Sequence, residues 1–353
     1  MPHHSAPALS PFRSSAINET LLGQLCGTSR VFRDRYTILK IIGRGGFGIT
    51  ALAKDISLPG RPLCVIKQLC PRVSDTAILS RARQRFEQEA KSLSLLGSHT
   101  QIPQLLDYFE TQGDFFLVQE YIQGITLAKM IRRSGCLDEA AVKHFLRDLL
   151  LLLQYVHNNR VIHRDIKPHN LIYASNDHRL VLIDFGAVKE WMIQSDRRSN
   201  PPPSTQFVGT VGFAPPEQLA GRPVYASDLY AAGITCLYLL SGRSVLEFDY
   251  SPDSRETYWQ SHVTVSPYFG AILSRLLKFS LKDRYQSAAE VLRALDLEPF
   301  VDNLKYCMNV NPVPFAPKDE AQGSSAISPI LRDASVIREW QVRARLRWRR
   351  CAI

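Results

Sequence analysis

The stretch that most constrains the chain is His163-Arg164-Asp165-Ile166-Lys167-Pro168-His169-Asn170, followed fourteen residues after Asn170 by Asp184-Phe185-Gly186. Between the two acidic motifs lies an apolar run, Arg179 to Ile183, that reads as a strand. Asp165 then falls on a loop before a short β-hairpin and Asp184 just after it, both facing one cleft. Two such acids, with a lysine and a carboxamide between them, suit phosphoryl transfer. One carboxylate orients a hydroxyl and accepts its proton, while the other holds a metal on nucleotide phosphates. A lone Asp in either place would read as an ordinary loop acid, so the weight rests on the ordered string.

Upstream, Tyr36 to Ile42 is a strand candidate leading into Gly43-Arg44-Gly45-Gly46-Phe47-Gly48, with Ile49 to Lys54 as the returning strand. The same glycine spacing occurs in dinucleotide-binding turns, but those lead from strand into helix. Here β-branched residues and then Pro59-Gly60 predict a hairpin. Its glycines let backbone amides approach phosphates, and Phe47 at the tip would cap the site. Cys64-Val65-Ile66-Lys67 follows as a strand ending in a lysine, nineteen residues after Gly48. A helix from about Leu79 to Leu96 offers Glu87 and Glu89 as carboxylates. Phe115 to Tyr121 is an apolar strand, and Asp138 is an N-cap candidate for a long apolar-striped helix through His157. Leu229 to Leu240 contains a glycine, is too short to span a bilayer and reads as a buried helix.

Taken in order, these motifs resemble eukaryotic-type (Hanks-type) protein kinases over roughly residues 36 to 297. Lys167-Pro168 is similar to the serine/threonine branch, and GRGGFGIT and VQEYIQG to bacterial, especially cyanobacterial, members. The resemblance implies an α+β, two-lobed fold: a small antiparallel β-rich lobe with one helix (36–120) and a larger, mainly helical lobe (124–297). It implies ATP and Mg²⁺ as cofactors and Ser/Thr hydroxyls of proteins as acceptors. Asp165, Lys167 and Asn170 are then catalytic, and Asn170 and Asp184 hold metal. Nucleotide contacts fall to Gly43, Gly45, Gly46, Phe47, Gly48, Thr50, Val65, Lys67, Glu89, Gln119, Glu120, Ile122 and Ile172. Lys67 would pair with Glu89, leaving Glu87 at the surface, and Gln119 takes the gatekeeper place.

The resemblance further implies that Asp228 braces the catalytic loop and that Arg284 pairs with Glu217. Ser199, Ser204 and above all Thr205 become candidates for an activating phosphate received by Arg164, with Thr210 in a docking loop closed by Pro216-Glu217. Three positions depart from the family pattern: Pro215 for Ala, Thr50 for Val, and Val65 for Ala, the last narrowing the nucleotide pocket. The alternatives are a pseudokinase-like binding scaffold, which would usually have lost the lysine or one of the acids, and a small-molecule phosphotransferase of kinase-like fold.

A chain of 353 residues accommodates this unit with tails. Residues 1–35, rich in Pro, Ser and Ala, read as a mostly disordered extension with a short helix at Ile17 to Leu25. Residues 298–353 read as a tail. The formal charge is +10, and residues 336–353 hold six arginines against Glu339, so the basic character is local rather than a property of the whole body. The tail is a candidate for weak contact with anionic membrane or nucleic acid, against the plainer reading of a solvated end. Seven scattered cysteines without a C-x-x-C pair argue for reduced thiols and a cytoplasmic location. The sequence shows no signal peptide and no transmembrane segment.

Overall fold

The computed structural model describes residues 20–44, 48–69, 76–185, 212–250 and 257–300. The first unit is a six-stranded antiparallel sheet in the order β1-β2-β3-β4-β6-β5. Its strands are β1 (Val31–Phe32), β2 (Tyr36–Arg44), β3 (Gly48–Asp55), β4 (Leu63–Leu69), β5 (Leu105–Thr111) and β6 (Asp114–Glu120). Helices α1 (Leu21–Leu25) and α2 (Thr76–Leu96) pack with it.

Period-two alternation sorts the sheet into two faces. Register pairs Thr50 with Lys67 and Val65 with Gln119, so these four side chains share one face. Ile49, Ala51, Ile66, Phe116 and Val118 occupy the other and form an apolar cluster with Leu22, Leu25 and Phe32. Helix α2 buries a stripe at helical spacing, Phe86, Ala90, Leu93 and Leu96, and Glu89 lies on that buried side.

Residues 121–123 connect the sheet to the larger unit. A three-stranded sheet, β7 (Gly124–Thr126), β8 (Leu171–Ala174) and β9 (Leu180–Leu182), lies at its near end. The helices are α3 (Leu127–Ser134), α4 (Glu139–Asn158), α5 (Pro216–Leu219), α6 (Tyr225–Ser241), α7 (Pro267–Leu276) and α8 (Ala288–Leu297). A short strand pair, β10 (Asp249–Tyr250) with β11 (Thr257–Tyr258), lies between α6 and α7. Asp138 caps α4 as expected, its carboxylate accepting the Ala141 amide at 2.8 Å. Helix α4 buries Val142, Phe145, Leu146, Leu149, Leu150 and Leu153, a stripe broad enough to meet α6 and α8 together. Helix α6 is apolar almost all round and correspondingly buried, the arrangement predicted for Leu229 to Leu240.

The two-lobed α+β architecture is therefore as predicted, with one correction at the N-terminus. Residues 20–35 are not a disordered extension, and the short helix expected at Ile17 to Leu25 is present over Leu21–Leu25. Thr20 caps α1, Leu22 is fully buried, and β1 adds an edge strand to β2 through Val31↔Thr37 and Phe32↔Tyr36. An isolated five-residue helix is unstable in water, so tertiary burial of Leu22 and Leu25 is what holds it. Residues 1–19 and 301–353, including the arginine-rich end, lie outside the described residues.

Candidate active site

The site is assembled by loops whose backbone geometry is fixed from beneath. Asp228, in the first turn of α6 and 1% exposed, accepts the backbone amides of His163 and Arg164, each at 2.9 Å. It also accepts His157 Nε2, again at 2.9 Å. Burial raises the Asp228 carboxyl's affinity for a proton, but the His157 hydrogen bond and the Arg164 amide together hold its pKa below the usual range. A single buried anion thus satisfies two consecutive amides and sets the entry to the loop, where Arg164 adopts φ 69°. Gln218, directly after Glu217, donates to the Arg164 carbonyl at 2.5 Å.

His163 is fully buried between this loop and the next strand's end. Its Nδ1 accepts the Asp165 amide at 3.3 Å, and Nε2 lies 3.2 Å from the Ile183 carbonyl, an acceptor. These partners require the neutral tautomer with its proton on Nε2. Burial, outweighing three nearby carboxylates, lowers its pKa. The ring also packs on Phe185 at 4.5 Å between centroids.

Beyond His163 the loop presents Asp165, Lys167 and Asn170 together. Lys167 Nζ lies 3.0 Å from Asp165 Oδ1, and Asn170 Nδ2 donates to Asp165 Oδ2 at 2.6 Å and to its carbonyl at 2.9 Å. Both carboxylate oxygens of Asp165 are therefore oriented by neighbours in the same loop. The hairpin β8–β9 leads to Asp184, which has φ 63°, and the Ile183 amide donates to the Asn170 carbonyl at 2.9 Å. That bond ties the catalytic loop to the strand end carrying the second acid.

From the sheet side comes Lys67. Its ammonium lies 2.8 Å from Glu89 Oε1 on α2 and 3.1 Å from Asp184 Oδ1. Burial pulls its pKa down, but the charges of Asp184 and Glu89 overcome that and hold it above its usual range, so it is a fixed cation. Glu87 instead pairs with Arg83 at 3.1 Å on the exposed side of the helix.

Of the other predicted nucleotide residues, Thr50, Val65 and Gln119 share the Lys67 face of the sheet, as the register requires. Ile122 packs with Ala174 and Val181, and Ile172 joins that cluster. The Glu120 amide is taken by the Gln104 carbonyl at 2.9 Å, so any contact of Glu120 with a nucleotide edge falls to its carbonyl. Gly43 and Gly48 sit at the ends of the glycine turn; Gly45, Gly46 and Phe47 lie outside the described residues, as do Ser199, Ser204, Thr205, Thr210 and the segment that carries them. Gln119 Oε1 is buried with no hydrogen-bond partner among the described residues. An orphaned acceptor on the cleft face fits an amino-bearing heterocycle such as adenine, since an unsatisfied buried acceptor is costly.

Away from the loops, Arg284 is fully buried, donating to Glu217 Oε1 at 2.6 Å and to the carbonyls of Ala226 and Lys278. The pair expected from sequence is present. Sequence reasoning did not single out His157 or Gln218. Each lies far in sequence from the atoms it contacts, and neither belongs to a local pattern that a single chain displays.

The chain belongs to the protein kinase domain family, which residues 36–295 match. It is 46% identical over 299 residues to serine/threonine-protein kinase B of Synechocystis sp., covering 84% of this chain and 52% of that protein. It is 43% identical over 266 residues to serine/threonine-protein kinase PknA of Nostoc sp., covering 75% and 47%. The chain thus spans about half the length of these curated relatives. Among solved structures, the PknI kinase domain of Mycobacterium tuberculosis matches at TM-score 0.58 and 24% identity, over 76% of this chain and 98% of that one. The apo form of PpkA-294 matches at 0.59 and 24%, over 74% and 96%. These two likenesses concern the fold.

Proposed function

We propose that the chain is a serine/threonine protein kinase that transfers the γ-phosphoryl group of ATP, with Mg²⁺, to hydroxyls of protein substrates. The observation that carries this reading is the convergence of Lys67, Glu89 and Asp184 on one side with Asp165, Lys167 and Asn170 on the other, all oriented by mutual hydrogen bonds. Bound Mg-ATP supplies the phosphoryl group and much of the counter-charge. Asp165, with Lys167 and Asn170 holding its two oxygens, accepts the hydroxyl proton and aligns that oxygen. Lys167 balances negative charge near the acceptor. Lys67, fixed by Glu89, anchors phosphate oxygens, and Asp184 and Asn170 would hold the metal. Gln119, Ile122, Val65 and Ile172 line the nucleotide base. The chemistry asks little covalent work of the protein; positioning and counter-charge supply most of the rate.

Protein rather than small-molecule acceptors are supported by the Glu217 turn pinned to Arg284, and by the curated relatives being serine/threonine-protein kinases. Among the described residues no helix is long and apolar enough to cross a membrane. Cys26, Cys64, Cys136 and Cys236 are free thiols, which supports a cytoplasmic setting. The six arginines of residues 336–353 are a candidate, on sequence alone, for weak, salt-sensitive contact with anionic membrane or nucleic acid, against the plainer reading of a solvated end. The test is incorporation of label from radiolabelled ATP with Mg²⁺ and a generic basic protein. Incorporation on Ser or Thr that disappears in Asp165→Asn is expected. Label that persists in Asp165→Asn, or that appears on tyrosine only, overturns the proposal.

A further inference from the structure

The N-terminal segment meets the strand that carries Lys67 at the side chain of Gln68. Gln68 directly follows Lys67 on β4 and so points to the opposite face of the sheet, where it is 1% exposed. Its Oε1 accepts the backbone amide of Leu22 at 3.0 Å, and its Nε2 donates to Asp114 Oδ2 at 2.6 Å. Leu22 lies in the first turn of α1, where amides have no intrahelical acceptor, so Gln68 satisfies a donor the short helix cannot satisfy itself. Asp114 opens β6, the strand that carries Gln119.

The Gln68 backbone is engaged as well. Residue 68 pairs with Ile49, and a Cβ on Gly48 would collide with the Gln68 carbonyl oxygen. The exit of the glycine turn is therefore pressed onto the same residue. One position on β4 thus joins α1, the end of the glycine turn, β6 and, through its immediate neighbour, Lys67. Around it the segment is fastened firmly: Phe32 packs on Phe116 at 5.0 Å, the Gly27 amide donates to the Ile38 carbonyl at 3.2 Å, and Arg35 pairs with Asp55 at 2.8 Å.

We propose that residues 20–35 form a positioning brace for the nucleotide site, and that Gln68 is the positioning residue through which the brace fixes the β3–β4 register beneath Lys67 and Gly48. Gln68 touches neither nucleotide nor acceptor. It acts by holding the strand whose opposite face does. The proposal rests on Lys67 being a nucleotide anchor, and the test separates the two.

The substitution Gln68→Leu keeps the volume and removes the bonds to Leu22 and Asp114. A large-lobe substitution, Leu295→Ala, serves as a control for lowered stability alone, because Leu295 is buried in α8 away from the sheet. Mg-ATP affinity is measured by calorimetry well below each Tm, alongside amide hydrogen exchange. The expected result is about tenfold weaker binding in Gln68→Leu, the scale of one buried hydrogen bond transmitted to the site. Leu295→Ala should show normal affinity. Exchange should rise at Gly48–Thr50 and Lys67–Leu69 in Gln68→Leu and not in the control. A Gln68→Leu protein with lowered Tm but unchanged affinity and unchanged exchange at those strands overturns the proposal. If the unaltered chain binds no Mg-ATP, the kinase reading falls, and exchange alone decides the coupling: unchanged protection at the two strands refutes it.

Discussion

The two halves of the site are held by opposite devices. In the large lobe, the loop bearing Asp165 is fixed through its backbone: two amides donate to Asp228, the Asp165 amide to His163, and the Ile183 amide to the Asn170 carbonyl. In the small lobe, Lys67 reaches Glu89 and Asp184 by side chains alone, across three separate elements. Backbone bonds to a buried anion define positions whatever occupies the cleft. An ion pair between a strand and a helix holds only while α2 stays seated. The large-lobe half is therefore the rigid reference, and the small-lobe half is where geometry can be altered with least loss of fold.

The sharpest way to separate chemistry from scaffold is to remove the acids themselves. Asp165→Asn and Asp184→Asn should each reduce phosphoryl transfer by about 10²–10⁴-fold or more, with the unfolding transition nearly unchanged. Activity of either variant within tenfold of the parent would show that the loop's geometry does not carry the reaction.

Next in size is a change that breaks the scaffold and leaves the chemistry in place. Arg284→Met strands Glu217, and its guanidinium has no exposure, so the cost is about 3–5 kcal/mol of stability. Denaturant unfolding should show that loss, while activity per folded molecule falls much less than in Asp165→Asn. A loss below ~1 kcal/mol would place the pair among weak surface contacts.

In the small lobe, Glu89→Gln removes the charge seating Lys67, although Asp184 still touches the ammonium. The expected result is a fall of about 10–100-fold in kcat/KM for ATP, from a lost charged hydrogen bond, with stability less affected than by Arg284→Met. An equal effect on stability and none on kcat/KM would mean that both halves are braces of the same kind.

How much of this was legible in the sequence follows the same division. Strongly periodic elements could be read: β4 and β6 from apolar runs, α4 from its stripe and Asp138, α6 from being apolar throughout. Ordered motifs with short spacing, Asp165 to Asn170 and Asp184, announced the cleft. Contacts between distant residues that belong to no pattern could not be read. His157 and Asp228 are separated by 71 residues, and Leu22 and Gln68 by 46. A glutamine in a strand reads as a solvent-facing residue, and the short helix expected at Ile17 to Leu25 carries no local signal of the strand it meets. Strand β5 escaped notice because Asp107 and Glu110 interrupt its alternation.

The smallest expected effect concerns His163, where the rigid half of the site has a titratable weakness. Its imidazole is neutral, with Nδ1 accepting the Asp165 amide, and burial lowers its pKa. The unfolded chain takes up that proton as pH falls through about 6.5, whereas the folded chain resists until a lower pH. Over that interval the unfolded state binds more protons, so stability falls as pH falls, at no more than ~1.4 kcal/mol per unit for one group. Asp228, whose pKa is also lowered, loses its contribution only as pH drops below the ordinary carboxylate range, outside this window. His99, likewise lowered by burial, titrates in the same direction but is common to parent and variant and cancels in their difference. His163→Phe keeps the contact with Phe185 and sacrifices the Asp165 amide's acceptor, so it should be less stable than the parent at pH 7.5. The difference between the two should narrow on going to pH 5.5, because only the parent carries the proton-linked loss. Unfolding free energies measured at both pH values decide the matter: parallel pH dependence in parent and variant would show that the buried imidazole is not the linked group.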